Sequence, residues 1–121
     1  MSYDNNNIFA KILRGEIPCN KIYEDDFILS FYDINPQKKI HALVIPKGKY
    51  IDLDDFNSNA SNDEIVGLMK GITTVSKKLG ISSIDGMGYR ALANISDYGG
   101  QEVPHLHFHL FGGEKVGKMV S

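Results

Sequence analysis

Three of the four histidines in this 121-residue chain alternate with large apolar residues in one short segment. His105, His107 and His109 are separated by Leu106 and Phe108. Because successive side chains of a β-strand point to opposite faces, this spacing predicts a strand with one imidazole face and one apolar face. Packing gives no reason to crowd imidazoles together, since each is costly to desolvate. The segment therefore predicts a functional site, with the apolar face in the core and the imidazoles lining an open pocket.

Two kinds of chemistry suit such a set of imidazoles. Imidazole is a common zinc ligand, and three rings with a carboxylate such as Glu102 would make a metal-binding module. Imidazole is also largely neutral at pH 7 and easily displaced, which suits nucleophilic and acid–base catalysis. Three rings spread along one strand converge poorly on a single ion. The pattern therefore favours catalysis without a resident metal or cofactor, and the metal module stays as an alternative.

Composition excludes several other classes of protein. A hydrophobic content of 42%, a charged content of 23% and a net charge of −2 are typical of a globular protein and argue against a nucleic-acid partner. The single cysteine, Cys19, cannot form an internal disulfide. Since no apolar run approaches the roughly 18 residues that span a bilayer, and no signal-peptide core is evident, we expect a cytoplasmic protein without membrane contact.

The order of predicted elements indicates an α+β fold. A short helix from residue 8 is ended by Gly15, and an apolar stripe predicts a long helix over residues 61–79. Strands are predicted over 21–24, 27–32, 40–45, 89–95 and the histidine segment 104–111, with a loop and a short helical turn over 47–59. Short turns between these strands indicate an antiparallel sheet. We expect one domain over 1–121, with a mobile lead-in over 1–7 and a tail over 114–121.

Two positions outside the histidine segment have two interpretations each. Asp33 follows an apolar strand, where its carboxylate either binds a ligand or closes an Asx turn. His41 stands alone in an apolar strand and, considered by itself, is typical of a buried, hydrogen-bonded histidine. The Gly99-Gly100 pair either lets the backbone approach a ligand or forms a tight turn.

The chain resembles the histidine triad (HIT) nucleotide-binding proteins, whose signature is His-φ-His-φ-His-φ-φ with φ apolar. Residues 105–111 fit every position of that signature. Further blocks that resemble the family lie at 8–12, 15–18, 31–36, 41–47 and 99–103. The likeness is to the phosphoramidase branch rather than to the dinucleoside polyphosphate hydrolases.

This resemblance implies a fold and an activity. The fold would be a five-stranded antiparallel sheet with two helices, pairing into a homodimer. The activity would be hydrolysis of purine nucleoside 5′-phosphoramidates and related nucleotidyl conjugates, of AMP or GMP type, through a covalent nucleotidyl-histidine. A nucleotide-binding scaffold or regulatory protein with weak hydrolase activity is the alternative within the same resemblance.

The resemblance also assigns roles to residues. His107 would be the nucleophile, His109 would bond to phosphate oxygens, and His105 and His41 would orient the nucleophile and share protons. Asp33 would bind the ribose hydroxyls, away from His107 and His109. The remaining nucleotide contacts would be Ile17, Phe31 and Ile34 around the purine, and Asn94, Gly100, Gln101 and Glu102 beside ribose and phosphate. The chain departs from the family pattern at Glu102, where several members have serine, and in its short tail without tryptophan.

Overall fold

The computed structural model describes residues 2–120 and has the predicted α+β architecture. In this part of the chain the elements are α1 (Ile8–Leu13), β1 (Lys21–Glu24), β2 (Ile28–Tyr32), β3 (Ile40–Pro46), α2 (Leu53–Asn59), α3 (Asn62–Lys78), β4 (Arg90–Leu92) and β5 (Phe108–Gly112). The five-stranded antiparallel sheet is confirmed. Residues 2–120 contain three helices where two were predicted. The short helical turn expected over 47–59 is the full helix α2. No helix among residues 2–120 combines the length and apolar character needed to cross a membrane.

Side-chain caps define where the helices begin. The Asn7 side chain accepts the Ala10 N–H at 2.9 Å and starts α1. Ser61 and Glu64 form a reciprocal capping box at the start of α3, each side chain bonding to the other residue's backbone N–H. Gly15 follows α1 with a φ of +79°, a conformation that glycine adopts without strain, so the chain turns away there.

The strand order β1-β2-β3-β5-β4 places β3 at the centre of the sheet. In the pairing of β3 with β5, Leu43 lies opposite His109 and His41 lies opposite Phe111. Since side chains two residues apart share a face, all four of these side chains lie on the same face of the sheet. The fourth histidine is thereby brought to the last histidine of the segment, 68 residues away in sequence.

Each face of the sheet is covered by different helices. On one face, α2 and α3 pack on a core that contains Ile28, Ala42, Val44, Phe56, Leu68, Ile72, Val75, Leu106 and Leu110. On the other face, Phe9 of α1 packs on Leu29, Phe31, Leu43 and Ile45. His41 and His109 belong to this second face, so α1 and the segment before it are the neighbours of the histidines.

Two strands begin or end more than one residue from their predicted bounds. Only Arg90–Leu92 of the expected 89–95 strand pairs, and the histidine segment joins the sheet at Phe108 rather than at Pro104. Residues 101–107 bond instead to the loop after β3: the Leu106 N–H donates to the Tyr50 carbonyl at 2.8 Å. His105 and His107 therefore precede the strand, in a segment held by loop contacts.

Candidate active site

The imidazoles are more enclosed than the alternating pattern predicts. His105, His107 and His41 are 0%, 6% and 4% exposed, and only His109 is half-buried. The prediction of an imidazole face lining an open pocket is therefore wrong for most of the set, because α1 and the N-terminal segment pack over it. The apolar half of the pattern is confirmed, since Leu106 and Leu110 are buried in the core on the α3 side.

Backbone and hydroxyl partners fix the tautomer of His105. Its Nε2 lies 2.9 Å from the carbonyl oxygen of Pro46, which only accepts, so Nε2 carries the proton. Its Nδ1 is then an acceptor, and the hydroxyl of Tyr3 donates to it at 2.5 Å. Both nitrogens of this fully buried ring are thus satisfied by neutral groups.

His107 has its ring nitrogens assigned in the way that a nucleophile requires. Its Nδ1–H donates to the backbone carbonyl of His105 at 2.7 Å, which leaves the lone pair on Nε2. Phe9 packs edge-on against the ring, with centroids 4.9 Å apart. Among residues 2–120, Nε2 has no hydrogen-bond partner and yet no buried polar side-chain atom is unsatisfied, so this nitrogen is accessible. The orientation comes from the peptide carbonyl of His105 rather than from its side chain.

His41 and His109 form a second hydrogen-bonded pair. The backbone N–H of Gln37 donates to His41 Nδ1 at 3.2 Å, so His41 carries its proton on Nε2. That Nε2–H donates to Nδ1 of His109 at 2.9 Å. His109 therefore has its proton on Nε2, as a hydrogen-bond donor. The centroids of the His109 and His107 rings lie 5.1 Å apart, so the Nε2–H of His109 and the unprotonated Nε2 of His107 belong to neighbouring rings.

Asp33 closes the Asx turn that is one of its two interpretations, and its second carboxylate oxygen faces His41. Its Oδ1 accepts the Asn35 N–H at 2.8 Å, which is an Asx turn, and its Oδ2 lies 3.4 Å from Nε2 of His41. The expectation that this carboxylate lies away from His109 is wrong: ligand atoms of Asp33, His41 and His109 all lie within 4.8 Å of one another. The turn after β2 directs the carboxylate back toward β3, which carries His41.

This cluster does not match the metal module inferred from the sequence. That module needs three imidazoles of the histidine segment, whereas His109 alone joins Asp33 and His41. The Gln37 N–H occupies Nδ1 of His41, so the proton of this ring is on Nε2. A metal bound at Nε2 would have to displace that proton. The hydrogen bonds therefore fit a proton-ordered pair better than a set of metal ligands.

Burial keeps the four imidazoles uncharged. It lowers the pKa of His105 to about 4, with the charge of a protonated His107 acting in the same direction. Burial, with neighbouring His107 and His41, lowers the pKa of His109 to about 4. The pKa values of His107 and His41 are also lowered by burial, against a raising effect of the Asp33 carboxylate. At pH 7 all four rings are neutral, so the lone pair of His107 is available.

The residues expected around the purine are not all brought together. Ile17 lines a cavity of about 490 Å³ with Ile12 and Leu13. Phe31 is 4% exposed and packs edge-on against Phe9, with centroids 5.6 Å apart. Ile34 is 88% exposed. A flat apolar clamp would need Ile34 to fold over the base.

The residues expected beside ribose and phosphate lie in and around a short loop. The Gln101 amide is used within the protein: Oε1 accepts the Ser96 N–H at 2.9 Å, and Nε2 donates to the Ile51 carbonyl at 2.6 Å and to that of Val103 at 3.0 Å. The glycine pair lies in a tight turn, in which the Gly100 N–H donates to the Asp97 carbonyl at 3.0 Å. Gly99 has no room there for a Cβ, which would lie 2.4 Å from the Ile95 carbonyl oxygen. Gly100 and Glu102 are exposed and Asn94 is half-buried.

Several partners of the histidines were not identified from the sequence. Tyr3, the Gln37 N–H and the Pro46 carbonyl contact His105 or His41, and none of them carries a local signal. Two of these partners are backbone groups, which every sequence contains. Phe9 lies in one of the blocks that resemble the family, but its contact with His107 depends on the position of α1.

Comparisons with known proteins place this chain in a family. The HIT domain model matches residues 14–116. An uncharacterised HIT-like protein of Azospirillum brasilense is 49% identical over 120 residues, covering 99% of this chain and 96% of that protein. The purine nucleoside phosphoramidase of Escherichia coli K12 is 40% identical over 114 residues, covering 94% and 92%. A solved histidine triad protein from Clostridium difficile has a TM-score of 0.84 and 38% identity, covering 97% of this chain and 98% of that one.

Proposed function

The chain belongs to the HIT domain family, and we propose that it is a hydrolase of purine nucleoside 5′-phosphoramidates that works through a nucleotidyl-histidine intermediate. The observation that carries this proposal is the state of His107. Its Nδ1–H is held by the His105 carbonyl, its Nε2 lone pair is accessible, and burial lowers its pKa. A neutral imidazole with a fixed lone pair is the nucleophile that attack on phosphorus requires.

The reaction proceeds in two displacements. Nε2 of His107 attacks the α-phosphorus, a nitrogen–phosphorus bond to the ring forms, and the bond from phosphorus to the leaving amine breaks. The positive charge that develops on the ring is stabilised through Nδ1–H by the His105 carbonyl. Water then attacks phosphorus and displaces His107, so that its oxygen ends on the nucleotide and one of its protons replaces the proton taken by the amine.

His109 is suited to hold the phosphate. Its Nδ1 is occupied by His41, so Nε2–H is the group left to donate to a non-bridging oxygen. Because all four rings are neutral at pH 7, none of them is an imidazolium that could act as a general acid in the free protein. The proton that the amine requires enters after the anionic substrate has bound and has raised the pKa values of the rings beside it.

The nucleoside part of the substrate extends from this centre toward Asp33. With Oδ1 in the turn, Oδ2 of Asp33 keeps acceptor capacity for the ribose hydroxyls. The purine occupies the cavity that Ile17 lines with Ile12 and Leu13, and Phe31 and Ile34 contact the base once Ile34 has folded over it. Asn94, Gly100, Gln101 and Glu102 border ribose and phosphate. In this arrangement Gln101 acts through its loop, since its amide is already bonded within the protein.

We further propose that residues 1–121 form one HIT domain that works as a homodimer in the cytoplasm. Among the described residues, β4 pairs only with β5, which leaves one backbone edge of this short strand open. Such an edge is stabilised when a second copy covers it. The cytoplasmic location is supported by the single cysteine, since a reducing compartment makes no demand for disulfides.

Incubation with adenosine 5′-phosphoramidate tests the activity. Chromatography should detect AMP, with equal yield in the presence of EDTA. His107→Ala should leave less than about 1% of turnover, whereas Thr73→Ala, at an exposed position of α3, should match the wild type. Mass spectrometry of wild type quenched with denaturant at alkaline pH, which preserves the bond between phosphorus and imidazole, should detect the adenylated protein, and His107→Ala should lack that species.

Other outcomes of this experiment separate the alternatives. Loss of turnover with EDTA and recovery with zinc would favour the metal module. Tight AMP binding without turnover of the phosphoramidate would favour a nucleotide-binding scaffold. Substantial turnover by a folded His107→Ala protein would remove His107 from the role of nucleophile.

A further inference from the structure

The segment before α1 is folded against the site. Asn7 Nδ2 donates to the Asp4 carbonyl at 2.7 Å, and the Arg14 guanidinium donates to the Asn5 carbonyl at 2.7 Å. These contacts bring Tyr3 to the histidine segment, 102 residues further along the chain. The lead-in expected to be mobile thus contains a side chain in direct contact with His105.

Tyr3 supplies the donor that Nδ1 of His105 requires. The ring of His105 is fully buried, and its Nε2–H already donates to the Pro46 carbonyl. Within the described residues, the Tyr3 hydroxyl at 2.5 Å is the partner of Nδ1. Burial raises the pKa of Tyr3, so its hydroxyl stays protonated and donates. Without it, Nδ1 would be a buried acceptor with no donor, which is costly.

The His105 backbone carries this constraint to His107. The carbonyl of His105 accepts the Nδ1–H of His107 at 2.7 Å, and this bond alone assigns the lone pair to Nε2. A ring clamped at both nitrogens fixes the χ angles of His105 and limits rotation of its peptide group. If the clamp opens at Nδ1, the bond from the Leu106 N–H to the Tyr50 carbonyl still holds this peptide group on one side, but the His105 carbonyl can tilt about it, and His107 loses its single tautomer.

We propose that Tyr3 is a positioning residue for His107, its hydroxyl holding the His105 ring so that the His105 carbonyl keeps the reactive nitrogen of His107 unprotonated. For its effect on turnover the proposal rests on the proposed function, in which His107 is the nucleophile. Its effect on the tautomer is independent of any substrate. Tyr3 itself touches neither His107 nor the reacting atoms.

Tyr3→Phe tests this role because it removes only the hydroxyl and keeps the ring that packs edge-on against His105, with centroids 5.6 Å apart. The matched control is Tyr23→Phe. The Tyr23 hydroxyl also makes one side-chain hydrogen bond, to Asp25 at 3.0 Å, but its ring packs on the α3 side of the sheet. Both variants lose one hydroxyl and one hydrogen bond, so a general loss of stability would affect both.

Two measurements are made on wild type and on both variants. Long-range ¹H–¹⁵N correlation spectra of the free protein report the tautomer of each imidazole. Wild type and Tyr23→Phe should show His107 as the Nδ1–H tautomer and His105 as the Nε2–H tautomer. Tyr3→Phe should show exchange between tautomers at both rings. With adenosine 5′-phosphoramidate, Tyr3→Phe should lower kcat about tenfold and change KM less than twofold, while Tyr23→Phe changes neither.

Unchanged tautomers in Tyr3→Phe would overturn the proposal, whatever happens to kcat. A fall in kcat that Tyr23→Phe reproduces would identify a stability effect and overturn it equally. If wild type does not turn over the phosphoramidate, the proposed function fails. The tautomers still decide whether Tyr3 positions His107.

Discussion

Acid should destabilise this fold in large part through His105. The ring is 0% exposed, and burial lowers its pKa from 6.5 to about 4. Between these two values the unfolded chain binds more protons than the folded protein does. The stabilisation is therefore fully present above pH 6.5 and is lost as the pH falls toward 4.

The size of the loss follows from the two pKa values. Their difference of about 2.5 (6.5 − 4) corresponds to a limiting loss of about 3.4 kcal/mol in the free energy of unfolding. Partial protonation at pH 4.5 makes the expected loss from this one ring about 2 to 3 kcal/mol relative to pH 7. That is a large fraction of the stability of a domain of this size.

His105→Gln isolates the contribution of the ring. A glutamine amide can still donate to the Pro46 carbonyl and accept from the Tyr3 hydroxyl, but it does not titrate. Urea unfolding followed by circular dichroism at pH 7 and pH 4.5 gives the loss for each protein, and any difference in stability at pH 7 cancels. Carboxylates that titrate in acid, such as Glu24, are common to both proteins.

Wild type should lose about 2 kcal/mol more than His105→Gln over this interval. His109→Gln should reduce the acid loss by a smaller amount, because His109 is only half-buried and solvent screens its charge. Equal losses in wild type and His105→Gln would refute the assignment of His105 as a buried neutral ring.

Three further predictions concern the ligand, the core and the assembly. Asp33→Asn keeps the Asx turn but should weaken AMP binding by about 1–3 kcal/mol in calorimetry. The loss should be smaller for the 2′,3′-dideoxy nucleotide, and equal losses would assign Asp33 to the turn alone. Gly71→Ala should lower the free energy of unfolding by about 1–3 kcal/mol, because its Cβ would lie 2.4 Å from Ile28 Cδ1, whereas Thr73→Ala should cost nothing. Light scattering at micromolar concentration should report a dimer, which a monomer mass would contradict.

The sequence predicts well what depends on local periodicity and capping. The alternation of histidines with Leu106 and Leu110 assigns the apolar side chains to the core, because a two-residue period separates the two faces of an extended chain. Asn7, Ser61 and Gly15 mark helix ends through groups that act within a turn. The buried central strand β3 follows from its continuous apolar run.

The sequence alone does not determine where the histidine segment stops being a strand. Residues 104–107 have strand periodicity, but the Leu106 N–H bonds to the Tyr50 carbonyl and the Gln101 amide just before them bonds to that of Ile51. Only long-range packing brings that loop to them. The same limit applies to Asp33, whose turn directs it back to His41. In each case the deciding partner is distant in the chain.

The chemistry of the site is likewise determined partly by the sequence and partly by the tertiary structure. The residue types and their spacing favour an imidazole nucleophile, because imidazole is largely neutral near pH 7 and is readily displaced from phosphorus. Which nitrogen carries the lone pair depends on the carbonyls of Pro46 and His105 and on the Tyr3 hydroxyl. Carbonyls are present in every residue, so only the tertiary structure decides which of them an imidazole meets.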